Sequence, residues 1–213
     1  MLTLYDYLPS QNAYKVRLLL HHLGRTYRTE IVSIFEGEGE REEYLAINPS
    51  GAVPAVRLDD GRTLAESNAI LIFLAGGSIY LPEDPYRRAK VMQWLFFEGD
   101  YVQSTIATLR HWKMTGKDMN YPAQLVEMKH KGSMKTLSIL DRELASNTYL
   151  GGDTYTIADM SVFAYVHRTD EAGILLSRFP NIARWVGDVQ AQPDFLSEVH
   201  PYSIDPNSAR ELP

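Results

Sequence analysis

Cysteine is absent from the 213-residue chain, which excludes disulfides, thiolate metal sites, cysteine nucleophiles and Cys-x-x-Cys redox chemistry carried by the protein's own side chains. Any sulfur chemistry must come from a bound ligand. Excess positive charge is missing as well: 21 Lys and Arg stand against 27 Asp and Glu, a formal net charge of -6. No broad cationic field is available to a phosphate backbone, so nucleic acid is not an expected partner. The longest uncharged stretch, between Ser67 and Glu83, contains Asn68, Gly76, Gly77, Ser78 and Pro82 and falls short of the ~20 apolar residues that span a bilayer. The amino terminus MLTLYDYLPS has no basic leader region and carries Asp6 where a signal peptide would be apolar, which gives a cytoplasmic expectation with no membrane attachment. His21 and His22 are adjacent and point in different directions, and no HExxH-like spacing involves the other histidines, so no metal site is expected.

Hydrophobic residues make up 45% of the chain and charged residues 23%, the balance of a globular protein. Its length suits one large domain or two small ones and buries roughly 70% of the unfolded surface. Leu2 to Asp6 alternates like a strand, and after Pro9 and Ser10 the residues Val16, Leu19, Leu20 and Leu23 recur at helical spacing up to Gly24. Tyr27 to Ile34 restores β-branched residues, which makes a βαβ unit with parallel strands. A helical turn is expected around Tyr44 to Ile47, followed by the breaker cluster Asn48, Pro49, Ser50 and Gly51. Val53 to Leu58 and Thr63 to Ala65 flank Asp60-Gly61 as a hairpin, and Asn68 to Leu74 reads as a short helix ended by Gly76 and Gly77.

The expected fold is therefore α/β plus all-α. A βαβαββα domain spans residues 1–77, a proline-bearing linker 78–86, and a helical bundle domain 87–213 that ends in an irregular tail. In the bundle, Val91, Leu95, Tyr101 and Val102 mark one long helix, while Leu125, Met128, Leu137 and Leu140 mark a second. Met160, Val162, Phe163 and Val166 mark a third, and Ile182, Trp185, Val186 and Val189 a fourth. Thr156-Ile157-Ala158-Asp159 is a capping box opening the third.

Three short motifs can carry chemistry. Val53-Pro54 starts a strand directly after the breaker cluster; a trans proline there is merely edge-forming, whereas a cis one aims the Val53 N–H and C=O outward to hold an extended peptide. Glu66-Ser67 lies at a helix start, where Ser67 serves as a cap. The same pair could grip a zwitterionic amino-acid end, the helix terminus taking the carboxylate and Glu66 the ammonium. Ser10, Gln11 and Asn12 occupy the first strand-to-helix loop. Beyond capping, a hydroxyl or amide donor at a helix start stabilises a thiolate, and lowering a thiol pKa by about two units corresponds to about 2.7 kcal/mol.

Taken together, LTLYDYLPSQNAYKVRLLL, NPSGAVPAV, LAESNAILIFLA and TIADMSVFAY closely resemble the cytosolic glutathione transferases over nearly the whole chain. The loop is similar to the serine-type theta and zeta classes and the bacterial nu class. The resemblance implies a thioredoxin-like domain, an all-helical domain, a homodimer, and glutathione as bound co-substrate. It implies that Val53 before a cis Pro54 pairs with the cysteinyl backbone, that Glu66 and Ser67 hold the γ-glutamyl group, and that Ser10 and Asn12 address the sulfur. Many relatives carry a basic residue just before Val-Pro for the glycyl carboxylate; this chain has Gly51 and Ala52, and Arg41 is the candidate substitute. Tyr7 is a secondary candidate for the sulfur hydrogen bond. The acceptor pocket is expected between the domains, near the first loop and Tyr101, Arg110 and Trp112, although Arg110 could instead pair with an acid in the bundle. The implied activity is detoxifying transfer of glutathione to an electrophilic small molecule, or reduction of a disulfide or peroxide; the alternative is a non-catalytic ligand- or protein-binding module on the same fold.

Overall fold

A computed structural model describes residues 1–205 and Ser208. The chain divides into two compact units, one of residues 1–76 with the described tail from Pro193, the other Gly77–Gln192.

In the first unit β1 (Thr3–Asp6), α1 (Gln11–His22), β2 (Arg28–Ile31), α2 (Glu42–Leu45), β3 (Ala55–Arg57), β4 (Thr63–Ala65) and α3 (Ser67–Leu74) follow the βαβαββα order. The sheet order is β2-β1-β3-β4. β1 runs parallel to β2 and antiparallel to β3, and β3 antiparallel to β4. Alternation along β1 splits its side chains between two faces. Tyr5 joins Val32, Tyr44 and Ala55 in a small cluster with Ile47 and Val53 packed against it, so α2 covers the face on which Tyr5 lies. α1 is buried along most of its length, which draws in polar side chains: the Arg17 guanidinium donates twice to the Asp6 carboxylate, at 2.6 and 2.7 Å.

β2 and β3 are shorter than the apolar pattern predicts. The parallel register ends where Asp6 meets Ile31, so residues 32–34 run beyond the end of β1. β3 begins at Ala55 because Pro54 has no N–H to donate to the ladder.

The second unit opens inside the expected linker. Leu81 is buried, the Tyr80 carbonyl accepts from Ile157 N–H, and α4 (Pro85–Phe97) begins with Asp84 capping Arg87 N–H at 2.8 Å. The expected long helix forms, but its middle is wider than a regular helix. Glu98–Ala107 is π-helical, and α5 (Thr108–Met114) continues from it. The Ser104, Thr105 and Thr108 hydroxyls each donate to a carbonyl four or five residues earlier, which loosens the regular ladder. α6 (Ala123–Leu144) approaches this segment so closely that a Cβ on Gly132 would stand 2.8 Å from Thr105 Cγ2.

α7 (Ile157–Val166) is wholly buried and starts with the predicted capping box; α8 (Pro180–Gln190) completes the unit. The Asp159 carboxylate accepts from Leu150 N–H at 2.8 Å, Thr156 N–H at 3.0 Å and Trp185 Nε1–H at 3.0 Å. Complete burial outweighs these bonds and pushes its pKa up to about 6.

The tail corrects the expected second boundary, because from Pro193 it belongs to the first unit and not to the bundle. The Leu196 carbonyl accepts from the Tyr14 hydroxyl at 2.6 Å, the Asp194 carbonyl lies 2.6 Å from His21 Nδ1, and Tyr202 stacks on Tyr7. Tyr202–Ile204 forms one 3₁₀ turn; residues 206, 207 and 209–213 of the expected irregular tail lie outside the described residues.

Candidate functional site

The register of the sheet brings the first unit's motifs to one end. Ala55 pairs with both Tyr5 and Ala65, so Pro54 precedes and Glu66 follows a directly paired couple. The Val53-Pro54 peptide is cis. Val53 lies before the first ladder residue. The carbonyl of its neighbour Ala52 accepts from the Tyr44 hydroxyl at 2.7 Å and from Asn48 Nδ2 at 2.6 Å. Asn48 also accepts from Ser50 N–H and Ser50 Oγ. Tyr44 and Asn48 thus hold the chain just ahead of Val53. Neither is evident as a site residue in the sequence, where the only signal is the Asn-Pro-Ser-Gly cluster.

Glu66 has φ 65° and ψ 109°, a region that costs a residue with a Cβ about 1–3 kcal/mol and persists where surrounding structure imposes it. Its side chain is exposed, while Ser67 opens α3 and is nearly buried. Ser67 Oγ donates to Asn12 Oδ1 at 3.4 Å, joining the β4–α3 corner to the first turn of α1. Ser10 is the N-cap of that helix, its Oγ accepting from Ala13 N–H at 3.3 Å. A hydroxyl has one proton and two lone pairs. Capping uses a lone pair and leaves the proton to donate.

Tyr7 is placed differently. Its ring stacks on Tyr202 and meets Phe35 edge-on. The buried hydroxyl lies near the Asp205 carboxylate without a formed hydrogen bond among the described residues. Burial first, and then Asp205, push its pKa well above the usual phenol range. It lines a cavity of about 420 Å³ with Pro9, Ser33 and Asp205. Arg41 is an exposed side chain paired with Glu38 at 3.0 Å, and it lines a separate cavity of about 530 Å³ with Tyr5, Glu30, Tyr44 and Arg57. The structure does not bring Arg41 into the cluster of Ser10, Asn12 and Ser67.

Of the two residues before Val-Pro, Gly51 has no room for a longer side chain, whereas Ala52 is exposed. Gly51 has φ +67°, and a Cβ there would stand 2.8 Å from the Gly39 carbonyl oxygen. A Cβ on Gly39 would meet the Gly51 carbonyl oxygen at 2.2 Å. The two backbones occupy the space a longer side chain would need at its root.

In the second unit, the acceptor candidates are engaged in packing. Arg110 is almost completely buried, its Nε donating to Glu171, which also accepts from Arg168. This is the ion pair left open as its alternative role. Tyr101 is exposed and stacks on Phe97 with centroids 4.8 Å apart. Trp112 packs on Tyr121 at 4.2 Å, with the Lys129 ammonium 6.0 Å from its ring.

The fold and these corners agree with what comparison finds. Residues 9–76 match the family model for the glutathione S-transferase N-terminal domain, and residues 123–188 match that for the C-terminal domain. The chain belongs to the glutathione S-transferase family. It is 39% identical to a glutathione S-transferase from Pseudomonas fluorescens Pf-5 whose crystal structure superposes with a TM-score of 0.86, covering 92% of this chain and 97% of that one. It is 31% identical to glutathione S-transferase F13 of Arabidopsis thaliana over 85% of this chain and 87% of the relative. A second Pseudomonas fluorescens Pf-5 family member, solved with two glutathione molecules bound, is 26% identical with a TM-score of 0.79, covering 91% of this chain and 89% of that one. Among the described residues no group of three or more His, Cys, Asp or Glu is placed to hold a metal, and no helix is long and apolar enough to cross a membrane.

Proposed function

We propose that this glutathione S-transferase family member is an enzyme that binds glutathione across the sheet end and transfers its sulfur to an electrophilic small molecule or a disulfide. The cysteinyl backbone lies along the Val53 N–H and C=O, before the ladder begins. The γ-glutamyl group reaches Glu66 and Ser67, and the sulfur faces Ser10 and Asn12. The observation that carries this reading is the Ser67 Oγ to Asn12 Oδ1 contact, which closes the corner between the starts of two helices. Both helix starts carry positive potential, suited to a carboxylate at α3 and a thiolate at α1. The Ser10 proton, free to donate while its lone pair caps the helix, favours the thiolate. Chemistry then follows from thiolate population and proximity to the acceptor.

The same reading keeps Arg41 for the glycyl end and Tyr7 as a second candidate for the sulfur. It includes a homodimer working in the cytoplasm. The exposed Phe96 and Tyr101 near the α4 junction and the exposed Met128 of α6 give the second unit apolar surface suited to a partner copy.

Turnover with an aromatic electrophile and with a small disulfide tests the proposal. Ser10→Ala is expected to lower kcat/KM about 100-fold, the scale of losing one donor to a developing anion. Asn12→Ala should lower it about tenfold, with glutathione binding retained in both variants. An unchanged rate in Ser10→Ala removes that residue from the mechanism. Wild-type protein that binds glutathione yet turns over neither substrate would be the non-catalytic binding module instead.

A further inference from the structure

Arg17 lies on α1 two turns beyond Ser10, buried with the Asp6 carboxylate that ends β1. One arm of its planar fork, Nη1, donates to both carboxylate oxygens, at 2.6 and 2.7 Å. The other arm, Nη2, reaches past the strand end and donates to the Leu8 carbonyl at 2.8 Å. Leu8 and Pro9 are the middle residues of a turn closed by Ser10 N–H onto the Tyr7 carbonyl at 2.8 Å. Proline in the third position of a turn is disfavoured in the commonest turn type and brings no N–H of its own, so the shape of this turn needs support from outside it. Arg17 supplies that support, with a longer bond from Gln11 Nε2 to the Pro9 carbonyl at 3.4 Å. Strand end, turn and helix are thereby tied together just ahead of Ser10.

Stability alone does not account for the pair. Burial pushes the Asp6 pKa up in spite of the guanidinium beside it, so the attraction does not repay the water the carboxylate has lost. Apolar side chains of similar volume can replace a buried ion pair without loss of stability. They could not grip a carbonyl. Resting on the reading that the Ser10 hydroxyl favours the glutathione thiolate, we infer that Arg17 is a positioning residue for Ser10. It touches no ligand. By fixing the Leu8 carbonyl it holds the turn, and through the turn it keeps Ser10 Oγ where the sulfur needs a donor; a small misplacement of such a group weakens stabilisation of the anion.

Arg17→Lys tests this, because it keeps the charge against Asp6 while a single ammonium lacks the fork that spans carboxylate and carbonyl. Tyr14, Tyr27 and His200 lie within electrostatic reach of the pair, and a variant of unchanged charge leaves that influence in place. The pKa of the bound thiol is read from thiolate absorbance in the glutathione complex and from the acid limb of the kcat/KM profile with an aromatic electrophile. S-methylglutathione, which has no thiol proton to lose, reports docking alone. Arg17→Lys is expected to raise the bound thiol's pKa by about one unit and so to lower kcat/KM about tenfold on the acid limb, with S-methylglutathione binding within about twofold of wild type. In a Ser10→Ala background the same substitution should add less than about twofold, since both act through one hydroxyl. An unshifted profile, an equal loss of S-methylglutathione affinity, or a lysine effect that adds in full to Ser10→Ala overturns the inference. If Arg17→Lys does not fold, Asp6→Leu combined with Arg17→Met replaces the pair by apolar side chains and removes the grip on Leu8; the same pKa rise is expected, and a wild-type profile overturns the inference. A Ser10→Ala variant whose bound thiol keeps the wild-type pKa overturns the Ser10 reading and this role with it, whereas a pKa that moves in Ser10→Ala but not in Arg17→Lys overturns the Arg17 role alone.

Discussion

The sheet end of the first unit and the core of the second use polar groups in opposite ways. At the sheet end of the first unit, neutral groups meet neutral groups: Ser67 with Asn12, Asn48 and Tyr44 with the Ala52 carbonyl, Ser10 with a backbone N–H. Ser10 gives a lone pair to its cap and keeps its proton for a ligand. In the second unit the polar groups are consumed by structure. Asp159 gathers four donors from Leu150, Thr156 and Trp185, and Glu171 takes two guanidinium groups. Chemistry is open where the bonds are few, and closed where they hold a core together.

The largest expected effect breaks the second pattern. Asp159→Ala leaves the Leu150 N–H, Thr156 N–H and Trp185 Nε1–H without an acceptor, and each buried orphan costs about 1–3 kcal/mol. A total loss of roughly 3–5 kcal/mol follows, or a fall in Tm on the order of 10 °C. Calorimetry checks this. A variant with wild-type Tm would mean that Asp159 is no structural hub.

Acid titration exposes the same unit next. Burial of His167 lowers its pKa to about 4, against an unfolded value near 6.5, so the unfolded chain binds more protons between these limits. Stability from His167 is complete above pH 6.5 and declines as pH falls toward 4, by about 3 kcal/mol in all. Asp159 has the reverse sign: its pKa of about 6 lies above the unfolded value, so its contribution is complete below about pH 4 and is lost as pH rises through 6. In wild type the two slopes offset each other in the overlapping window. His167→Phe should remove the acid-side loss and leave stability rising as pH falls from 6 to 4, read as denaturation midpoints across pH. A variant whose profile matches wild type would show that the imidazole does not titrate differently on folding.

Legibility in the sequence follows the same division. The βαβαββα order was readable because Leu4, Val56 and the residues of α1 alternate at the periods their elements require, and the sheet-end motifs were readable because each is a contiguous run. Val53-Pro54 and Glu66-Ser67 flank strands whose pairing alone places them side by side. Tyr44 and Asn48 were hidden because their role is to hold a carbonyl four to eight residues away. The π-helical stretch within the long helix had no periodic signature, since its cause is three hydroxyls turned onto their own backbone. The tail misled for a related reason: proline-bearing sequence says that a helix has ended, not which surface the chain then covers.

The smallest effect sharpens the comparison at the sheet end, where packing does intrude on chemistry. Gly51→Lys would place a basic side chain in the turn that leads into Val-Pro, and a charge-based view expects tighter glutathione binding. The backbone says otherwise. Lysine at φ +67° is strained, and its Cβ would press against the Gly39 carbonyl oxygen at 2.8 Å, a backbone atom that cannot swing aside as a side chain can. The expected cost is about 1–2 kcal/mol of stability, shared by Gly51→Ala. Displacement of this turn also disturbs Ala52 and the Val53 edge beyond it, so the dissociation constant for glutathione should rise a few-fold in both variants, measured by calorimetric titration. A lysine variant that binds more tightly at unchanged Tm would show that the turn can yield, and that this part of the site was shaped by charge and not by the close approach of two glycines.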